Sequence, residues 1–288
     1  MPQLAYLAWL AVCLFWGATY LAIRIALETM PPFLMASFRW TAAGVLLLAA
    51  LAIRGERLPK SRDWPSLAAV GVLLLGVGNG GVVWAEQSVS SGLTAVLVAA
   101  VPFWMTGIER MMPHGEPLTA RRTLGLVVGF SGIVLLVAPG LQPGRGRSFV
   151  GGVLATQLAC IGWSVGSSYS RRRSREENVL AAAAFEMLFA GIALLAVGLA
   201  LGEWRGITVN RRSLSAFAYL VLGGSIVGFT AYTYALKHLP VSTVSLYAYV
   251  NPVIAVLLGT IVLGEPLTPR IVLGAVIVLG GMALVRTG

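Results

Sequence analysis

Apolar runs of bilayer length recur along the chain with only short polar breaks between them. Ten can be marked, near residues 4–25, 33–53, 66–85, 92–109, 123–138, 150–169, 180–201, 214–235, 241–263 and 270–286. The first, from Leu4 to Ile25, would form a helix of roughly 33 Å at about 1.5 Å per residue, enough for a hydrocarbon core of about 30 Å. A chain inside lipid must satisfy its own backbone N–H and C=O groups, which leaves helices or closed barrels. Barrels need alternating segments of about ten residues, and these runs do not alternate. The pattern predicts an all-α integral membrane protein with ten transmembrane helices.

Composition agrees. Hydrophobic residues make up 57% of the 288 and charged residues 11%, against about 25% charged in a soluble domain. The N-terminus lacks a basic n-region and a small-residue cleavage site, so the first run reads as a retained helix and not a cleaved signal. A net charge of +10 does not indicate nucleic acid, because the basic residues sit in short segments between apolar runs, where cytoplasmic loops collect Lys and Arg. Thirteen of the 21 fall in loops on one side, six on the other, and Arg24 and Arg39 lie within runs. That bias places both termini in the cytoplasm. Cys13 and Cys160 lie in apolar runs without a CxxC or His partner and read as small buried hydrophobes.

The chain also repeats itself. "GEPLT" occurs at 115–119 and again at 264–268, each time with an Arg two residues on (Arg121, Arg270). Cys13 and Trp16 match Cys160 and Trp163, Phe38 matches Phe185, Gly55-Glu56 matches Gly202-Glu203, and Pro102 matches Pro252. The series is ordered across the whole half. It divides the chain into residues 1–142 and 149–288, joined by the polar turn "QPGRGRS" at 142–148. Five helices per unit is an odd number, so the second unit enters the membrane inverted, the architecture of many secondary transporters. In "GEPLT" the Pro presets φ and the Thr can cap the helix that follows; the motif reads as a helix start and not as a binding site.

"FWGATYLAIRIAL" in the first run, "PPFLMASFRW" in the second, a Pro within the fourth and ninth, and Gly-Glu-Pro-Leu-Thr before the fifth and tenth occur here in order. With them the chain resembles the EamA type of the drug/metabolite transporter superfamily over its full length. The resemblance implies a ten-helix fold with a central cavity lined by helices 1–4 and 6–9, peripheral helices 5 and 10, and transport of small organic solutes such as amino acids, other metabolites or drugs. It also implies the cytoplasmic membrane of a bacterium. The two halves differ where Glu186 stands opposite Arg39 and Ser164 opposite Gly17.

Arg39 lies about six residues into helix 2, roughly 9 Å below the surface. It either snorkels to the headgroups or stands on the cavity wall facing an anionic group such as a carboxylate. Glu186 lies about as deep from the other side, some 13 Å away in depth, too far for an ion pair. It reads as a latch near the opposite mouth or as a partner of the arginines at 171–173. Pro102 and Pro252 each free the carbonyl four residues back, at Val98 and Ala248, and read as hinges or packing kinks. Trp16, Tyr20, Asn79, Trp84, Trp104, Trp163, Tyr232, Tyr234, Tyr247 and Asn251 are the candidate cavity residues, with an interfacial belt as the other reading for Trp84 and Tyr234, and as a reading for Trp40 as well.

Nothing in the sequence points to catalysis. No HExxH, P-loop, Rossmann fingerprint or catalytic triad is present, and no cofactor or metal is expected. Of the acids near the membrane, Glu28, Glu86, Glu109 and Glu186, only Glu186 looks embedded, so a proton relay has little support. The reading is a secondary transporter working by alternating access, an exporter of amino acids or related metabolites. Its partners are a small-molecule solute and the bilayer. The rivals are an exporter of hydrophobic or cationic drugs and, further off, a non-transporting scaffold or a membrane enzyme. "GLVVG" from Gly125 to Gly129 is a small-residue contact motif on helix 5.

Overall fold

The computed structural model describes residues 2–111, 119–137, 147–172, 178–239, 244 and 247–287. Within them the chain is helical throughout, with no strand. The helices are α1 (Pro2–Ala26), α2 (Pro32–Ile53), α3 (Ser61–Ala85), α4 (Ser91–Val98), α5 (Val101–Met111), α6 (Ala120–Val137), α7 (Arg147–Arg172), α8 (Val179–Ala200), α9 (Arg211–His238), α10 (Tyr247–Leu263) and α11 (Pro269–Thr287). Six of them, α1, α2, α3, α7, α8 and α9, are long and apolar enough to cross a membrane. Their outward faces carry Leu7, Leu14, Leu46, Leu158, Ile192 and Leu222, each at least half exposed. Such an apolar exterior suits lipid and not water.

The fourth run is not one helix. It is α4 and α5, broken at Ala99–Ala100. Pro102 therefore lies in the first turn of α5, where the missing N–H costs nothing, and not in mid-helix as its run suggested. Pro252 does lie inside its helix, α10.

Two helices share a further local feature. α3 widens to π-helical turns over Val72–Asn79, and α9 does the same over Leu220–Val227. Each stretch is eight residues long and the two occupy matching places in the halves of the chain. Such turns recur at functional sites because they re-aim side chains inside a helix.

The Gly-Glu pairs act as connectors. Gly55, Gly202 and Gly264 take left-handed φ values of 67°, 73° and 65°, which end α2, α8 and α10 at little cost for a residue without Cβ. The Glu that follows then reaches another helix. Glu203 accepts from the backbone N–H groups of Phe33 (3.4 Å) and Leu34 (2.9 Å) at the start of α2. Glu265 accepts from those of Ser91 (2.8 Å) and Gly92 (3.1 Å) at the start of α4. Glu56 accepts from the amide of Asn178 (2.9 Å), the residue that caps α8. Glu203 and Glu265 satisfy the unpaired donors of helix N-termini and complement their dipoles, while Glu56 braces the side chain that caps α8. The threonines of the repeated motif cap their own helices: Thr119 Oγ1 accepts from Arg122 N (3.1 Å) and Thr268 Oγ1 from Ile271 N (3.3 Å). The rest of the first copy, 115–118, lies outside the described residues.

α6 packs along α11, and α2 along α8. A Cβ on Gly281 would come within 2.4 Å of Gly129 N and 2.7 Å of Gly125 O, so the "GLVVG" contact is made within the chain.

Candidate functional site

α1, α2, α3, α7 and α10, with the break between α4 and α5, enclose a cavity of about 620 Å³, the open space at its mouth included. Of the candidate residues it brings together Trp16, Tyr20, Arg39, Asn79, Trp163, Tyr247 and Asn251.

Arg39 is 2% exposed and sits inside the helix bundle, not at its surface. Its Nε donates to Ser225 Oγ at 2.8 Å and its Nη1 to Asn79 Oδ1 at 3.4 Å. Its guanidinium carbon stands 4.4 Å from the centre of the Trp40 ring. Both hydrogen-bond partners come from the π-helical stretches, Asn79 from that of α3 and Ser225 from that of α9. A Cβ on Gly224 would meet Arg39 Nη2 at 3.0 Å, so this glycine is what lets the guanidinium lie against α9. Trp40 is 2% exposed and donates to Asn79 Oδ1 at 3.1 Å. Among the described residues no carboxylate lies within ion-pair distance of Arg39. A guanidinium has five N–H donors, and a buried charge is costly unless paired. This one is held by two hydrogen bonds and an indole face, with no carboxylate paired to it among the described residues.

Beside it is an aromatic cluster. Trp16 packs edge-on against Trp163 (5.4 Å between centroids) and Tyr247 (5.3 Å), and tilted on Tyr232 (5.0 Å). Trp16 Nε1 donates to the Gly224 carbonyl at 2.9 Å, an approach allowed by Gly228, whose Cβ would lie 2.4 Å from that nitrogen. Trp163 Nε1 is buried without a partner among the described residues. Tyr232 stands behind the cavity wall with its hydroxyl 3.3 Å from Ser167 Oγ. Asn251, with its amide nitrogen turned to the carbonyls of Cys13 (3.1 Å) and Tyr247 (3.2 Å), ties α10 to α1.

Other candidates lie elsewhere. Trp84 lines a separate groove with Phe33, Leu194 and Val197. Trp104 donates to Gln157 Oε1 at 3.0 Å and packs edge-on against Phe130. Tyr234 stacks on His238 at 4.1 Å, the two at the end of α9. Glu186 is buried on α8 where α3 passes closest, since a Cβ on Gly71 would strike its carbonyl oxygen at 2.2 Å; it is not part of the cavity wall. Arg172, one of the basic residues considered for it, donates to the Ser168 carbonyl at 3.0 Å. Of the carbonyls freed by the prolines, that of Val98 faces the Cys160 thiol at 3.9 Å.

The sequence reading missed Glu86. It stands one residue beyond the third span, at the end of its apolar run, and looked like a loop acid. In the fold it is fully buried, and among the described residues neither carboxyl oxygen has a hydrogen-bond partner. Burial holds its carboxyl well above the ordinary carboxylate range; Glu265 adds to the shift, while Arg24 and Arg39 oppose it. Arg24 Nη1 donates to the backbone carbonyl of Glu86 and so caps the end of α3.

Among the described residues no group of His, Cys, Asp or Glu is placed to hold a metal ion. The cavity presents one fixed cation, two amides, phenols and indoles around apolar space.

Known proteins resemble this chain along nearly its whole length. A family model described as the EamA-like transporter family matches residues 3–138 and again 150–287. The sequence is 38% identical to the "Uncharacterized inner membrane transporter YedA" of Escherichia coli K12 over 96% of this chain and 89% of that one. It is 25% identical to the "Uncharacterized transporter YoaV" of Bacillus subtilis over 95% and 93%. A solved crystal structure of a protein 23% identical superposes with a TM-score of 0.71 over 98% of this chain and 96% of the other, which shows a shared fold.

Proposed function

The chain belongs to the EamA-like transporter family, and from that premise we propose that it is a multi-pass transporter of the inner membrane that exports amino acids or related carboxylate metabolites. The observation that carries the substrate class is Arg39, a buried guanidinium on the cavity wall with no carboxylate partner among the described residues. A solute carboxylate supplies the missing charge and can bond a guanidinium in bidentate fashion. The aromatic cluster of Trp16, Trp163 and Tyr247 lies across the same cavity, where ring faces attract an ammonium group. Together they match the two ends of an amino acid.

Transport proceeds by alternating access. The two units, 1–142 and 149–288, are inverted repeats that rock about the cavity, with both termini in the cytoplasm. The matched π-helical stretches, one per unit and both bonded to Arg39, support that reading. The break at Ala99–Ala100 and Pro252 are the hinges; Glu186, away from the cavity, belongs to packing between α8 and α3 or to a gate.

The test is purified protein in liposomes, assayed for counterflow of labelled amino acids and of amphipathic amines. Arg39→Ala should reduce carboxylate exchange by about 30-fold or more, the loss of a charge-assisted pair of about 2 kcal/mol. The aromatic cluster favours a second reading, export of cationic drugs, because cation–π contact needs no Arg39. Amine transport unaffected by Arg39→Ala, with no carboxylate transport, would establish that second reading and sink the first.

A further inference from the structure

On α3, Asn79, Val82 and Glu86 fall three and four residues apart and share one face of the helix. Asn79 and Val82 line the cavity. On α1, Tyr20 and Ile23 line it too, and Arg24 lies one turn beyond Tyr20. The wall that begins at Arg39 therefore leads to Glu86 at the end of α3, where the side chain is fully enclosed and both oxygens are unpartnered among the described residues. The titratable and charged groups that face it are Tyr20 and Arg24 of α1, Arg39 of α2, and Glu265 ahead of α11. Glu265 is already engaged with the N–H groups of Ser91 and Gly92. Arg24 gives its donor to a backbone carbonyl and not to the carboxylate.

An ionised carboxylate without a hydrogen bond in such surroundings is prohibitively costly, whereas the protonated acid is tolerable. Glu86 can lose its proton only while nearby positive charge is available to it. Arg39 is the part of that supply that a bound solute can take up. When a solute carboxylate occupies Arg39, its positive field is spent and Glu86 must hold a proton. When Glu86 is ionised, it draws on Arg39 and disfavours the solute.

We propose that Glu86 is a proton-binding site linked to carboxylate binding at Arg39, so that the protein carries a proton and its solute in the same direction. The proton comes from water on the side where solute binds and leaves to water on the side where solute is released. No bond other than O–H is made or broken. An outward solute gradient then takes protons out with it, and an imposed inward proton gradient opposes export. This rests on the carboxylate reading of the cavity, and the same binding linkage is reciprocal: whatever solute does to proton affinity, protons do to solute affinity.

Two measurements separate the parts. In liposomes enclosing a pH-sensitive dye, a gradient of each amino acid in the panel should move protons with the solute through the wild-type protein. Wild-type counterflow should weaken by about tenfold from the acid to the alkaline side of the titration. Glu86→Gln, which mimics the protonated acid, should make counterflow insensitive to pH and move no protons. Carboxylate transport without proton movement in the wild type, dependence on sodium instead of protons, or proton movement retained in Glu86→Gln would each overturn the inference and leave the carboxylate reading standing.

The second measurement needs no solute. In the folded protein Glu86 keeps its proton above the ordinary value of 4.5, where the unfolded chain has released it. Wild-type thermal stability should therefore fall as pH rises above that value and level off once the folded group itself titrates. Glu86→Gln should remove that part of the slope. Equal slopes in the two proteins would overturn the proton site, whatever the panel shows. If no carboxylate moves through the wild type while the slopes differ, the proton site stands and its link to Arg39 falls together with the carboxylate reading.

Discussion

At Gly224 one methyl group is enough to disturb the candidate site. A Cβ there would lie 2.7 Å from Thr19 Cγ2 and 3.0 Å from Arg39 Nη2. Thr19 is buried and β-branched, so it cannot rotate away cheaply, and the strain passes to the guanidinium. Gly224→Ala should cost about 1–3 kcal/mol, the usual range for an overpacked interior. It should also weaken carboxylate counterflow by about tenfold, a misplacement worth about 1.4 kcal/mol. Thermal unfolding and counterflow read the two effects; reduced stability with unaltered affinity would show that Gly224 does not set the position of Arg39. Arg39 itself was legible in the sequence, because an arginine inside an apolar run is expensive and needs a reason. Its partners were not. Asn79 and Ser225 are separated from it by 40 and 186 residues, and neither is unusual where it stands in the sequence.

At the scale of elements, the Gly-Glu pairs explain why the chain writes the same connector repeatedly. Glycine reverses the backbone at a helix end, and the carboxylate beside it, Glu203 or Glu265, caps the start of a different helix. Pro and Thr of "GEPLT" were readable as a helix start, since that role is local. The Glu role was not, because its partner helix is 174 residues away for Glu265–Ser91 and 169 for Glu203–Leu34. Glu203→Ala and Glu265→Ala should each lower stability by about 0.5–2 kcal/mol, the cost of a lost N-cap. The two losses should add, since they act on different helices. Thermal denaturation of the single and double variants measures this; a double variant no worse than either single one would mean the two contacts open together. The same limit applies to the fourth apolar run, where a proline near the middle predicted a kink. Packing resolved it as two helices with the break at the cavity.

At the scale of the whole molecule, the orientation in the membrane is the consequence most open to test. On the proposed orientation, which rests on the basic residues of the first half, Ser61 faces the cytoplasm and Thr208 the outside. Both are exposed. In a background without Cys13 and Cys160, Ser61→Cys should react with an impermeant thiol reagent only from the inner face and Thr208→Cys only from the outer. Labelling of both from one face would refute the ten-span map.

Periodic burial and the recurrence of motifs are properties of the chain itself. The helical membrane class, the doubled order of motifs and the family therefore followed from sequence, since each depends on local composition and spacing. Which polar groups meet depends on how helices distant in sequence pack, and no local pattern encodes that. Packing set Arg39 against Asn79 and Ser225, moved Trp84, Trp104 and Tyr234 away from the cavity, and sealed Glu86 at the end of α3. A carboxyl at the edge of an apolar run is solvated or buried according to what covers it, and here α1 and the segment before α11 supply the cover.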